Sequence, residues 1–329
     1  MIASVAFHNF KALRGTSLAL APFNLVIGAN GSGKTSLLEA VLRLRTLAKL
    51  PLAAIAESEK NAEGPEIEFR FTAPHQGITA RLGCASEFVC DLLQIEPATA
   101  AGWPALRTDL DRMRGYVLEH EAMMEPAPRT GDLRLSSDGG NLGAVLALMS
   151  ARAPAEFAAL SAELVRILPE FSAVELIPRA DNAIEIGMRL VDGVLVSAAN
   201  LSQGTLYLLA VLALAFDPSP PSVLCIEEID RGIHPRMLRE IRDAFYRLSY
   251  PQSSGLERPA TQVIATTHSP YLIDLFRDHP EEIVISQKHG VEARFERLAD
   301  RADLKELLSE GSLGDMWFSG ILGGVPEER

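Results

Sequence analysis

The stretch FNLVIGANGSGKTSLLEAVLRL (23–44) constrains this chain more than any other. A short apolar run meets a glycine-rich loop, and apolar residues at helical spacing follow at once, so strand, loop and helix are expected in direct succession. GANGSGKT (28–35) fits GxxxxGK[ST] in the strand-to-helix setting that the pattern requires. Gly28, Gly31 and Gly33 let the backbone curl until its N–H groups converge, and the helix N-terminus adds partial positive charge. With Ala29, Asn30, Ser32 and Ser36 they make a candidate phosphate cradle. Lys34 would reach the β- and γ-phosphates and Thr35 would offer a hydroxyl to Mg²⁺. The competing reading is a glycine turn before an ordinary helix; the complete pattern in its proper setting weighs against it.

A phosphate loop also needs carboxylates. In VLCIEEIDRGIHP (223–235) the run Val223–Ile226 reads as a buried parallel strand, so Glu227 and Glu228 emerge at its C-terminal edge, where α/β sheets build ligand sites. Successive strand residues point to opposite sides, so the two glutamates cannot be equivalent. Glu227 is expected to face the metal, and Glu228 to project towards the γ-phosphate and its attacking water as a general base. Taken alone, the pair could be a solvated acidic turn.

The rest of the chain supplies a setting for these motifs. Three strands are expected within 2–28, a helix over about 35–47, a hairpin from 66–71 and 78–84, and two helices within 141–168 parted near Pro154. A second hairpin, 183–199, turns at Asp192-Gly193, and an apolar helix over 203–216 precedes the strand SVLCI. A helix begins near Pro235, and strands are expected at TQVIATTH (261–268), EEIVISQ and VEARFERL; the segment from about 92 to 140 has no clear pattern. The balance of 47% apolar and 22% charged residues is that of a globular domain, and the net charge of −12 gives no general attraction to nucleic acid or membranes. Cys84, Cys90 and Cys225 lack metal-ligand spacing, so neither a zinc site nor a disulfide is expected, and a reducing cytoplasm fits. The first residues lack the pattern of a signal peptide, so none is expected there, and the longest apolar run, LYLLAVLALAF (206–216), is too short to span a bilayer.

With these residues in place, a family resemblance becomes visible. LSQGT (201–205) resembles the LSGGQ signature of ABC-type ATPases, and TTHSPYLID (266–274) their switch-histidine segment. EEIDRGIHP (227–235) resembles a Walker B and D-loop region, and FHNFKALRG (7–15) the opening of RecF and SMC proteins. SLGDMWFSGILGGVP (312–326) is similar to a C-terminal segment of stand-alone predicted ATPases. The chain thus resembles the RecF/SMC/OLD-like ATPase head. That resemblance implies an α/β P-loop NTPase head of ABC type over 1–329, with a mixed sheet core and an antiparallel β subdomain. The core would come from 1–90 and 183–329, and a helical, irregular insertion lobe from about 91–182.

The resemblance also implies ATP and Mg²⁺ as cofactors and a role for each matched position. The loop residues would hold phosphate, Glu227 the metal position and Glu228 the catalytic one. His268 would touch the γ-phosphate in the same subunit. Ser202 and Gly204 would touch it across an ATP-dependent homodimer, with Asp230 and His234 at that interface. A helix N-terminus such as that after Ser202 suits an anion, although Ser202 also reads as a plain N-cap. Gln203 departs from the signature's first glycine, and neither Gln76 nor Gln94 makes a convincing Q-loop. Lys11 reads equally as a nucleotide contact or a surface lysine. Arg43, Arg45 and Lys49, like Arg231, Arg236, Arg239 and Arg242, read first as solvated faces, and Trp317 and Phe318 as core anchors. Without heptads between Thr35 and Leu201, SMC-like arms are absent, and too few residues follow His268 for a nuclease domain of ordinary size. The expected role is an ATPase in DNA repair or phage defence, with DNA or a separate effector protein as partner and no membrane. The alternatives are an ATP-dependent switch controlling an effector such as a nuclease, and a transporter's ATPase subunit.

Overall fold

The computed structural model describes residues 1–50, 64–86, 88–98, 101–129 and 131–323. Positions 99–100 and 130 of the expected lobe, and 324–326 of the tail motif, lie outside the described residues. In chain order, β1 (Ile2–Phe10) and β2 (Leu13–Ala19) make a hairpin, and β3 (Phe23–Ile27) leads through the glycine loop into α1 (Lys34–Ala48). β4 (Glu66–Phe71), β5 (Thr79–Ser86) and β6 (Val89–Glu96) form a meander, followed by α2 (Trp103–Asp111) and β7 (Arg114–Tyr116). Next come α3 (His120–Met124), β8 (Ala127–Pro128), α4 (Leu142–Arg152), α5 (Pro154–Ile167), β9 (Phe171–Pro178), β10 (Ala183–Leu190), β11 (Leu195–Ser197) and α6 (Gln203–Ala215). β12 (Val223–Ile226), α7 (Leu238–Ser249), β13 (Gln262–Thr266), α8 (Pro270–Asp274), β14 (Ile283–His289), β15 (Glu292–Arg297), α9 (Leu304–Glu310) and α10 (Leu313–Phe318) complete the chain.

Two compact units emerge: one from Met1–Gly115, Pro221–Ile226 and Arg258–Arg329, the other from Tyr116–Pro220 and Glu227–Glu257. Their limits fall elsewhere than the expected core and lobe boundaries, since 183–220 groups with the middle of the chain and 91–115 with the first unit.

In the first unit every residue of β3, β12 and β13 is buried, as strands covered on both faces must be. They sit inside a six-stranded sheet of order β15-β14-β3-β13-β12-β7. β14, β3, β13 and β12 run parallel, whereas β15 returns antiparallel on β14. A mixed sheet therefore carries the glycine loop at its centre. A separate antiparallel sheet, β2-β1-β4-β5-β6, alternates buried and exposed residues, as in EIEFRF. Leu37, Val41 and Leu44 of α1 pack in one core with Val26, Cys225 and Ile264 of the first sheet and Phe7, Phe69 and Leu82 of the second. This packing fixes the direction in which α1 leaves the loop.

In the second unit β8, β9 and β11 pair around β10, and α6 is buried at every residue from Gly204 to Ala215. α3, α5 and α7 pack against it.

β6, β7 and β8 fall in or reach into the segment with no clear sequence pattern, and β9 lies where no element is expected. In β6 the β5–β6 register shifts between Gly83 and Cys84, so one extra residue stands between Cys90 and Leu92 and breaks the alternation of buried Cys90 and Leu93. β9 is half-buried along most of its length and so shows no period-two contrast. The expectation of unpaired cysteines is corrected: Cys84 and Cys90 are disulfide-bonded, because the hairpin sets them opposite one another in register. Cys225 alone is free, buried in β12. Among the described residues no helix is long and apolar enough to cross a membrane.

Candidate functional site

β3 ends at Ile27, and the chain turns through Gly28, Gly31 and Gly33 at φ of 149°, 73° and 104°. A Cβ on Gly28 would overlap the main-chain oxygen of Ser286 in β14 and stand 2.8 Å from Ser32 Oγ, so only glycine fits that corner. α1 then starts on Gly33 with no side-chain cap. An uncapped start leaves the first-turn N–H groups to a ligand or to water. The Lys34 ammonium, nearly buried, folds back over the loop and donates to the carbonyls of Gly28 (2.8 Å) and Ala29 (3.0 Å). The Ser32 carbonyl accepts from Ser286 Oγ at 2.6 Å, while Ser32 Oγ is buried without a hydrogen-bond partner. Asn30 and Thr35 are exposed, and Ala29 and Ser36 half-buried.

These features fit phosphate groups. An orphaned hydroxyl, a lysine over a tight glycine corner and an uncapped fifteen-residue helix together favour an anion. Among the described residues no cluster of three or more His, Cys, Asp or Glu side chains gathers as a metal cage. A Mg²⁺ bound with a nucleotide does not need one: it takes one or two protein ligands besides phosphates and waters. Thr35 is exposed at the first turn of α1.

The switch-histidine segment lies at the end of β13, which runs parallel beside β3. The Thr267 N–H reaches the Val26 carbonyl at 3.3 Å, which ties His268 to the strand that carries the loop. His268 is half-buried, and Ser269 caps α8 by accepting the Leu272 N–H at 3.3 Å. Trp317 is buried beside His268, whereas its neighbour Phe318 is 75% exposed, which corrects the expectation that both anchor the core.

The remaining predicted residues lie in the second unit. The Glu227 N–H is held by the Tyr116 carbonyl at 3.0 Å. Glu228 adopts φ 49°, a left-handed conformation that costs a non-glycine residue about 1 kcal/mol. Its carbonyl accepts two hydrogen bonds, from the Arg231 N–H at 2.8 Å and from Tyr207 Oη at 3.1 Å. These hold the turn. The carboxylate stays exposed, 3.7 Å from Arg231 Nε. Tyr207 projects from α6 and is fully buried; burial first, and Asp230 second, push its phenol far above the ordinary value, so it remains a donor at any physiological pH.

Ser202 caps α6 through the Thr205 N–H at 3.1 Å and also bonds Thr205 Oγ1 at 2.8 Å. A Cβ on Gly204 would meet the Gly232 carbonyl oxygen at 2.8 Å, and one on Gly232 would meet Gln203 Cδ at 2.6 Å. The signature and D-loop stretches therefore touch main chain to main chain. Gln203, the departure from the signature's glycine, lies over a glycine that leaves it room. His234 Nδ1 accepts the Arg236 N–H at 3.2 Å and so caps the turn into α7.

Sequence reasoning missed Tyr207 and Gly232. A tyrosine inside an otherwise aliphatic helix, LYLLAVLALA, was the available signal, because a buried phenol needs a partner for its tip. Other candidates are placed plainly. Gln76 is exposed in the turn before β5, and Gln94 lies half-buried on β6. Lys11 pairs with Glu39 and lies 5.6 Å from the centre of the Phe10 ring. Lys49 pairs with Asp111 at 3.0 Å and Arg242 with Asp243 at 2.8 Å, whereas Arg43, Arg236 and Arg239 are exposed.

Two known families match the chain: an AAA ATPase domain over residues 1–81, and the family described as AAA domain, putative AbiEii toxin, Type IV TA system over residues 158–274. No curated protein matches. Among solved structures, an SMC head bound to the C-winged helix domain of ScpA is similar with a TM-score of 0.59 and 16% identity, covering 90% of this chain and 97% of that one. The SMC head domain from Thermotoga maritima has a TM-score of 0.51 and 13% identity over 90% and 98%. An SMC head with an extended coiled coil from Pyrococcus furiosus, bound to the C-terminal domain of ScpA, has a TM-score of 0.54 and 14% identity over 94% and 99%. At these identities the likeness carries the fold: a P-loop NTPase head of ABC type. The two family matches, together with this fold, support a RecF/SMC-like AAA ATPase class for the chain.

Proposed function

We propose that this protein binds ATP with Mg²⁺, hydrolyses it, and works as two copies closed around two nucleotides. The observation that carries the reading is the uncapped N-terminus of α1 beneath the glycine corner, with the Lys34 ammonium above it and the orphaned Ser32 hydroxyl inside it. On this reading the N–H groups of residues 31–36 receive the β- and γ-phosphates. Lys34 exchanges the Gly28 and Ala29 carbonyls for phosphate oxygens, and so adds charge only when nucleotide is present. Thr35 and Glu227 would hold the Mg²⁺, which supplies charge neutralisation on the phosphates. Glu228 accepts a proton from the attacking water and orients it; its fixed main chain and exposed carboxylate suit that task. His268 donates to the γ-phosphate. The start of α6, at Ser202 and Gly204, offers a second copy's γ-phosphate another helix N-terminus. Hydrolysis removes that shared anion and lets the copies part.

The test is steady-state phosphate release with MgATP, beside the variant Lys34→Ala. The expected outcome is turnover in the unmodified protein and a loss of about 10²- to 10³-fold in the variant, comparable to removing one transition-state donor. Equal rates would reject the site.

The output of the cycle is proposed to be DNA-linked, in repair or phage defence, and stimulation of turnover by added DNA tests it. A second reading, a switch that controls a separate effector protein, is favoured by the similar heads solved with a domain of another protein bound. In that case added DNA leaves turnover unchanged and a partner protein alters it.

A further inference from the structure

The tail SLGDMWFSGILG (312–323) lies far along the chain from the glycine loop, yet its anchored residues reach two elements of the candidate site within the same compact unit. Ser312 starts α10 by accepting the Asp315 N–H at 3.0 Å. Gly314 then brings α10 onto α8. Its N–H donates to Asp274 Oδ1 at 2.9 Å, and a Cβ there would stand 2.5 Å from the Pro270 carbonyl oxygen, so any side chain would push the helices apart. One helical turn on, Trp317 falls on the same face as Gly314. Its ring lies 6.3 Å from the His268 ring, centre to centre, with the planes inclined at 62°. Because α8 begins two residues after His268, the approach at Gly314 sets where indole meets imidazole.

Beyond α10 the chain turns at Gly320, with φ 89°. Leu322 is fully buried and donates its N–H to the Met316 carbonyl at 3.2 Å. The Gly323 carbonyl accepts the Ala29 N–H, also at 3.2 Å. The tail therefore fastens the second residue of the phosphate loop and packs against the switch histidine. Its burial is selective: Trp317 and Leu322 are covered, whereas Phe318 and Ile321 are 75% and 48% exposed. A tail docked only to fill a core would bury these too.

We propose that residues 312–323 act as a strap across the nucleotide site, and that Trp317 is a positioning residue that sets the orientation of His268 towards the γ-phosphate. This rests on the ATPase reading above. Two side-chain torsions set where an imidazole lies, and a misplacement of about 1 Å in a reacting constellation costs on the order of 10²-fold in rate. The indole edge restricts those torsions. Its Nε1 is buried without a hydrogen-bond partner, so on this reading the indole acts through the aromatic contact rather than a polar one.

The experiment measures kcat and the ATP dissociation constant for Trp317→Leu, Trp317→Phe and Gly314→Ala, each in the unmodified protein and in a His268→Ala background. Trp317→Leu keeps apolar bulk without the ring, and is expected to lower kcat on the order of 10-fold while ATP affinity stays within about 3-fold. Trp317→Phe restores most of that loss, because it restores an aromatic edge. Gly314→Ala, which lifts α10 away from α8, behaves like Trp317→Leu. In the His268→Ala background none of the three lowers kcat further, since residues acting through one group are not additive. Equal impairment by Leu and Phe, or a loss that persists undiminished without His268, overturns the strap. Normal turnover in the unmodified protein with an unaffected Trp317→Leu overturns the strap alone, whereas failure of the unmodified protein to bind ATP overturns the ATPase reading with it.

Discussion

The glycine turn after β3 and the acidic turn after β12 both carry groups proposed for phosphate chemistry, and they are held by different means. The first is built from consecutive residues: glycines at positive φ, a lysine folded onto carbonyls within its own loop, and one wall of rigid main chain at Ser286. The second puts a glutamate, not a glycine, at positive φ and secures it both within the turn, through the Arg231 N–H, and from outside it. The hydroxyl of Tyr207 comes from a helix 21 residues earlier, and Gln203 lies over Gly232. A local motif can tolerate neighbours it does not specify. A turn held from a distance makes its geometry depend on whatever the holding helix does. A shift of α6 would reach Glu228 through the Tyr207 hydrogen bond, which is the coupling that the proposed pairing of two copies needs.

Substitutions can break this contrast at each end. The largest expected effect is Gly28→Ala, whose methyl group meets main chain that cannot yield. Overpacking together with the positive φ should cost roughly 3 kcal/mol, read as a drop in the midpoint of thermal or denaturant unfolding. A stability equal to that of the unmodified protein would mean that the corner is not tight. Next comes Tyr207→Phe, which removes one hydrogen bond to a strained turn. It is expected to lose about 1 kcal/mol of stability, and several-fold in kcat with little change in KM. If stability falls and kcat does not, Tyr207 serves packing alone. The smallest expected effect is Gly232→Ala, at about 1 kcal/mol, because Gln203 can move aside and only the positive φ remains as a penalty. Gln203→Gly made first should leave that penalty unchanged, which separates backbone strain from crowding.

The same contrast explains what could be read from the sequence. The loop, α1, the parallel strands and the antiparallel hairpin were legible because each depends on residues close in the chain: apolar runs, a glycine pattern and strict alternation in EIEFRF. β6 was not, since a register shift inserts one residue between Cys90 and Leu92, and the Cys84–Cys90 pairing follows from that hairpin rather than from any spacing rule. Glu227 and Glu228 were legible as a strand end, but the left-handed turn at Glu228 was not. It exists because Tyr207 and the Arg231 N–H converge on one carbonyl. The tail was legible only as a resemblance. Gly314 and Trp317 acquire meaning once α8 lies beside α10.

The central claim is that each nucleotide is shared between two copies, through the start of α6 at Ser202 and Gly204. Its most direct test is the mass in solution of Glu228→Gln, which is expected to bind ATP without consuming it, measured by sedimentation with MgATP and with MgADP. The account expects a dimer with ATP, a monomer with ADP, and loss of the ATP dimer when Ser202→Arg is added. A Glu228→Gln protein that binds ATP yet stays monomeric at every concentration would contradict it.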